Sequence, residues 1–145
     1  MTEVSEGVVS HYTAATNLAE VILSAAASAG ITDLTPESLA PVDEFHTGGI
    51  VSSRELAAMA RLQPGERVVD LGCAIGGPSR LLAAEFGCEV EGIDLTPELV
   101  EAARVLTERC GLQDKCRFQV GDATALPFET GTFDVAWTQH VVMNV

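Results

Sequence analysis

The run Val69-Asp70-Leu71-Gly72-Cys73-Ala74-Ile75-Gly76-Gly77-Pro78 constrains the fold more than any other part of the chain. Arg67 to Leu71 predicts an apolar strand, and Gly76 to Phe86 a helix closed by Gly87 as a C-cap. The glycines between them let the backbone turn tightly from one to the other and approach a ligand closely. The alternation then continues. Cys88 to Ile93 predicts a second strand. Thr96-Pro97-Glu98 opens a second helix, with Thr96 as N-cap, Pro97 at the first helical position and Glu98 at the positive helix end; it ends near Cys110-Gly111. Lys115 to Val120 predicts a third strand. After a loop from Gly121 to Gly131, Thr132 to Thr138 predicts a fourth, in which Phe133, Val135 and Trp137 alternate with smaller residues. Strands alternating with helices are the pattern of an α/β fold with a parallel sheet and crossover helices.

The part before Gln63 reads as helical cover. Asn17 is a plausible N-cap for a helix through Ser28 that stops at Gly30. Thr35-Pro36-Glu37-Ser38 starts one short turn before Pro41, and a polar stretch runs from Val42 to Gly49. A helix from Ser52 or Ser53 to Leu62 is expected to carry Leu56, Met59, Ala60 and, at its end, Leu62 on one face. Gln63-Pro64-Gly65-Glu66 forms a turn. The expected organisation is an N-terminal helical cap, 1–62, on a nucleotide-binding half-domain, 63–145, together making one domain.

Three aspartates fall at or near successive strand ends. Asp70 closes the first strand, Asp94 in Gly92-Ile93-Asp94 the second, and Asp122 in Val120-Gly121-Asp122-Ala123 follows the third. Open α/β sheets bind ligands at this edge, and an acidic residue about 20 positions beyond the glycine turn accepts from ribose hydroxyls. Taken singly, each feature has a plain structural reading: glycines serve ordinary turns, Asp94 could be a solvated strand end, and Asp122 could form an Asx turn. In order and together they point to a nucleoside site. A pyrophosphate would meet the Asp70 carboxylate in the first turn, and Ala74 stands where a GxGxxG motif needs glycine. No Gly-Lys-Ser/Thr follows, which excludes a P-loop. A donor with ammonium and sulfonium cations, such as S-adenosylmethionine, suits the acidic turn.

Charge and composition narrow the partners. With 21 acidic residues against 8 Lys and Arg the net charge is −13, which disfavours nucleic acid. The apolar run Leu18 to Ile31 is broken by Glu20 and two serines and is shorter than the roughly 20 residues of a membrane span. With no basic n-region in Met1 to Ser10, a cytoplasmic protein without a membrane partner is expected. Cys73, Cys88, Cys110 and Cys116 show no ligand spacing and read as free thiols, so no metal site is expected.

Several motifs now resemble those of class I S-adenosylmethionine-dependent methyltransferases. They are Val69-Asp70-Leu71-Gly72 with Gly76-Gly77-Pro78-Ser79-Arg80, Gly92-Ile93-Asp94-Leu95-Thr96, Gly121-Asp122-Ala123 with Leu126-Pro127-Phe128, and Phe133-Asp134-Val135 with Trp137. Upstream, Asp43-Glu44-Phe45-His46-Thr47-Gly48-Gly49 resembles a small-molecule subgroup related to sarcosine/dimethylglycine and ubiquinone/menaquinone-type methyltransferases. The resemblance implies a Rossmann-like, mostly parallel sheet. It also implies a cofactor, S-adenosylmethionine, and methyl transfer to a small-molecule N-, C- or O-nucleophile. It assigns Asp70, Gly72 and Gly76 to the methionine moiety, with Asp70 near the ammonium. Asp94 would hold both ribose hydroxyls, with Leu95 beside the adenine, and Asp122 with Ala123 would meet the adenine amino group. Gln139 would lie near the methionine end or the methyl group. His46 and His140 are the candidate general bases; His11 is more remote.

Two departures stand out. Ala74 replaces the family's usual middle glycine, and the family continues through three further strands. The sequence therefore reads as an incomplete, truncated version of the fold. The alternative function is a catalytically incomplete cofactor-binding module that forms a homodimer through the open edge of the fourth strand.

Overall fold

The computed structural model describes residues 17–144. Three helices come first: α1 (Leu18–Ser28), α2 (Pro36–Asp43) and α3 (Gly49–Ala60). The alternating part follows as β1 (Arg67–Leu71), α4 (Gly77–Phe86), β2 (Glu89–Asp94), α5 (Pro97–Arg109), β3 (Cys116–Val120) and β4 (Val135–Trp137), with a short 3-10 turn at Val142–Asn144. The strands form one sheet in the order β3-β2-β1-β4, and every pairing is parallel. The expected α/β, Rossmann-like sheet is present.

Alternating strand residues select the packed face. Val68, Val90, Cys116, Phe118 and Trp137 meet Leu82 and Ala83 of α4 and Val100 and Ala103 of α5. A second cluster lies outside it, where Ala19 and Ile22 of α1, and Leu39 of α2, pack with Ile75, Leu99, Ala102 and Leu106. The N-terminal helices thus cover the crossover layer.

Several local expectations are corrected. Asn17 precedes α1 in the left-handed conformation, and its side chain makes no capping hydrogen bond. Thr35 does cap α2, through a reciprocal box with Ser38, but the helix continues through Pro41 to Asp43. Burial of Leu39 and the anchoring of Asp43 carry it past the hydrogen bond that proline removes. Helix α3 starts earlier than expected, and it is Ser53 and Ala57 that it buries: Leu56 is exposed and Met59 is 80% exposed, while Leu62 just past the helix is buried. Small residues let α3 approach α2 and α4 closely. The Thr96 hydroxyl does not cap α5 and is left without a partner. Strand β4 is shorter than the expected run and begins only at Val135; ahead of it Phe133 meets Phe128 edge-on at 4.8 Å.

Arg80 ties the layers together. Its guanidinium is fully buried and donates to Asp43 Oδ2 (2.6 Å), Ile75 O (2.8 Å) and Thr107 Oγ1 (3.1 Å). One cation thereby bridges α2, the glycine turn and α5.

Candidate functional site

The glycine turn crosses the C-terminal ends of β1 and β2. The N–H groups of Gly72 and Cys73 both donate to Ile93 O, at 2.7 and 3.0 Å, which draws the turn across the tip of β2. Gly72, Ala74 and Gly76 all have positive φ, at 74°, 48° and 80°. A methyl group on Gly72 would overlap Val141, and one on Gly76 would overlap the Phe118 ring, so neither position accepts a side chain. Ala74 holds the left-handed conformation at the point where the sequence lacks glycine.

The three aspartates occupy three different situations. Asp94 ends β2, and its carboxylate accepts from Ala74 N–H through Oδ2 (3.0 Å) and from Thr96 N–H through Oδ1 (2.9 Å). Each oxygen retains acceptor capacity for a ligand hydroxyl. Asp70 lies inside β1 and is buried; Ser79 Oγ donates to its Oδ2 at 2.6 Å. Burial pushes its carboxyl up to about 7; the Ser79 hydrogen bond opposes this, while the charges of Asp94 and Glu44 add to it. Asp122 lies two positions past β3, where Thr124 donates to its Oδ1 from both N–H (2.8 Å) and hydroxyl (2.6 Å). Those bonds lower its carboxyl below the usual range. This is an Asx turn, one of the two readings open for that residue. Leu95 and Ala123 are half-buried beside these ends.

A polar cluster that the sequence did not reveal closes the β1/β4 side. His46 Nε2 lies 2.5 Å from Glu44 Oε2 and 3.0 Å from Ser53 Oγ, with the Glu44 and His46 side chains almost wholly buried. Ser53 Oγ also lies 3.1 Å from Glu44 Oε2 and 3.3 Å from Gln139 Oε1, which receives the Trp137 indole N–H at 3.0 Å. Burial raises the Glu44 carboxyl, against the opposing charge of His46. His140 brings its ring centroid to 6.0 Å from that of His46, so the structure brings the two histidines together. His11 lies outside the described residues. Glu44 and Ser53 are the residues sequence reasoning missed. Their only local signal is a serine on a helix face where i+4 is alanine.

Burial also raises the thiols of Cys73, Cys88, Cys110 and Cys116, the last to about 12, and all four are free. Among the described residues no three His, Cys, Asp or Glu gather as a metal site, and no helix is long and apolar enough to cross a membrane.

Known proteins share this arrangement. A family profile described as "Methyltransferase domain" matches residues 68–145, more than half of the chain, and the chain belongs to that family. A probable chloroplastic tocopherol O-methyltransferase of Oryza sativa is 49% identical over 73 residues, covering 50% of this chain and 20% of that protein. Phosphoethanolamine N-methyltransferase 3 of Arabidopsis thaliana is 34% identical over 99 residues, covering 68% of this chain and 20% of that protein. The chain thus spans about a fifth of these curated relatives. Among solved structures, phosphoethanolamine N-methyltransferase 2 of Haemonchus contortus in complex with S-adenosyl-L-methionine superposes with a TM-score of 0.61 at 28% identity, covering 67% of this chain and 23% of that one.

Proposed function

We propose that the chain supplies the cofactor-binding part of an S-adenosylmethionine-dependent methyltransferase acting on a small-molecule acceptor. The observation that carries this reading is the Asp94 carboxylate at the tip of β2, fixed by two backbone N–H groups beside a left-handed turn that excludes side chains at Gly72 and Gly76. The donor set fits the cofactor. Asp94 has acceptor capacity for ribose hydroxyls, with Leu95 beside it for the adenine. Buried Asp70 has one neutral donor, Ser79, so a cationic ammonium would complete its environment. Asp122 with Ala123 is assigned to the adenine edge.

Bound there, the cofactor supplies an electrophilic methyl group on a sulfonium. The protein's part is to align the acceptor and exclude water. His46 is the better placed of the two candidate bases. Its Nε2 meets the Glu44 carboxylate at 2.5 Å and its Nδ1 faces the Thr47 carbonyl oxygen at 3.4 Å, so acceptors on both sides orient the ring and favour the proton it would take up from the nucleophile. His140 is exposed, and its role is secondary in this reading.

Calorimetric titration with S-adenosylmethionine, followed by assay of S-adenosylhomocysteine formation against amine and quinol acceptors, tests the proposal. Absence of affinity sinks it. Binding without turnover favours the second reading, a cofactor-binding module associating through β4, whose outer edge has no neighbouring strand among the described residues. Sedimentation would then show a dimer. A cytoplasmic site of action belongs to the proposal and is supported by the four free thiols, which suit a reducing compartment.

A further inference from the structure

The hydroxyl of Ser53 faces more acceptors than it can serve. Its Oγ lies 3.1 Å from Glu44 Oε2, 3.3 Å from Gln139 Oε1 and 3.0 Å from His46 Nε2. Gln139 Oε1 is fixed as an acceptor by the Trp137 indole N–H, which can only donate, at 3.0 Å. A hydroxyl has one proton to donate, and Ser53 is fully buried. That proton goes to Glu44 or to Gln139 and never to both.

Charge decides between them. An ionised carboxylate is the stronger acceptor, so the hydroxyl points to Glu44 while that group carries its full charge. Burial raises the Glu44 carboxyl, and the charge of His46 and the Ser53 hydrogen bond oppose this. When the Glu44–His46 pair takes up a proton, on Oε2 or on the imidazole, the pull of Oε2 on the hydroxyl weakens. The amide oxygen then competes for it. The other titratable groups bordering the pair are Asp43, held by Arg80, Asp70 in β1, which accepts from Ser79, and His140, whose ring centroid lies 6.0 Å from that of His46.

We propose that Ser53 is a positioning residue whose hydroxyl turns from Glu44 to Gln139 when the Glu44–His46 pair takes up a proton, carrying the charge state of the pair to the end of β4. The inference rests on the reading in which His46 takes the nucleophile's proton. It adds that this event is felt at Gln139, two residues before the Val141 side chain that packs over Gly72.

NMR of the unliganded chain tests it. Trp137 is the only tryptophan, so a single indole N–H resonance reports on Gln139 Oε1. In the unaltered chain this resonance moves upfield as pH falls, because a second donor on the shared oxygen weakens the indole bond, and the carboxyl carbon resonance of Glu44 marks the same midpoint. Ser53→Ala abolishes the movement of the indole signal while Glu44 still titrates, at higher pH because a donor to its ionised form is gone. Ser53→Thr keeps the hydroxyl and restores the movement. Glu44→Gln keeps the size, removes the charge and stops the movement, which carries the test should Ser53→Ala fail to fold. His140→Gln leaves it in place. The proposal is overturned if the indole resonance does not change with pH, if its midpoint departs from that of Glu44, or if it moves as before in Ser53→Ala or Glu44→Gln. These signals are read without cofactor, so a failed cofactor titration sinks the methyltransferase reading and leaves the hydroxyl switch to be judged by its own result.

Discussion

The Asp94 carboxylate accepts the Ala74 N–H at 3.0 Å, and Ala74 holds φ at 48°, so a side-chain acceptor on one strand end fixes a left-handed residue in the turn of its neighbour. An L-residue pays roughly 1–2 kcal/mol for that conformation, whereas glycine enters it freely but loses more backbone entropy on folding. Ala74→Gly is therefore expected to stabilise the chain by up to about 1 kcal/mol, and Ala74→Val to destabilise it by more than that. Urea denaturation midpoints check both, and a clear loss on glycine substitution would contradict the origin assigned to the strain.

Asp94 fixes two backbone N–H groups and, in the proposed reading, also holds the ligand, so its substitution has two readouts. Asp94→Ala removes the acceptor of both the Ala74 and Thr96 N–H groups and is expected to cost about 1–3 kcal/mol of stability together with at least tenfold in cofactor affinity. Asp94→Asn keeps one of the two backbone bonds and should fall between. Comparing calorimetric affinity with the unfolding midpoint separates the effects, and unaltered affinity in Asp94→Ala would remove the residue from the site.

Asp70 links stability to pH in a direction fixed by its environment. In the unfolded chain it titrates near 3.8 and in the folded protein at about 7, chiefly through burial. Between these values the native state keeps a proton that the unfolded state has lost. This contribution therefore favours folding most below about 4, weakens as pH rises, and is gone above about 7. Asp70→Asn should flatten the decline in melting temperature over that window. A bound cation favours the ionised carboxyl, so cofactor binding near pH 6.5 should release a proton, detectable by calorimetry in buffers of different ionisation enthalpy. No dependence on buffer would count against an ammonium beside Asp70.

Gly77 is required for spacing. A methyl group there would overlap the Asp43 carbonyl, which belongs to backbone and cannot swing aside. Gly77→Ala should destabilise by about 1–3 kcal/mol, with the loss visible in thermal melts.

The alternation of strands and helices was legible because the period changes where the elements change, and the glycine turn because its spacing leaves little room for another conformation. The direction of α3 was not legible. Leu56 and Met59 outnumber Ser53 and Ala57 in apolar weight, but close approach to α2 and α4 favours small residues, a requirement set by the neighbouring helices. The end of α2 was misread because a proline's local effect is weaker than a buried leucine and a paired aspartate further along. At the site, Asp94 could be placed from sequence, whereas Glu44, Ser53 and Gln139 could not be joined. Ser53 and Gln139 are 86 positions apart, and no local pattern encodes their contact.

The buried guanidinium of Arg80 also governs how the protein comes apart. Peeling α2 away would strand a cation in an apolar interior, with its other bonds still holding the turn and α5, so partial opening at this seam is disfavoured relative to complete unfolding. Helix α2, the glycine turn and α5 are therefore expected to come apart together, and the turn inherits its rigidity from a residue that need never touch a ligand.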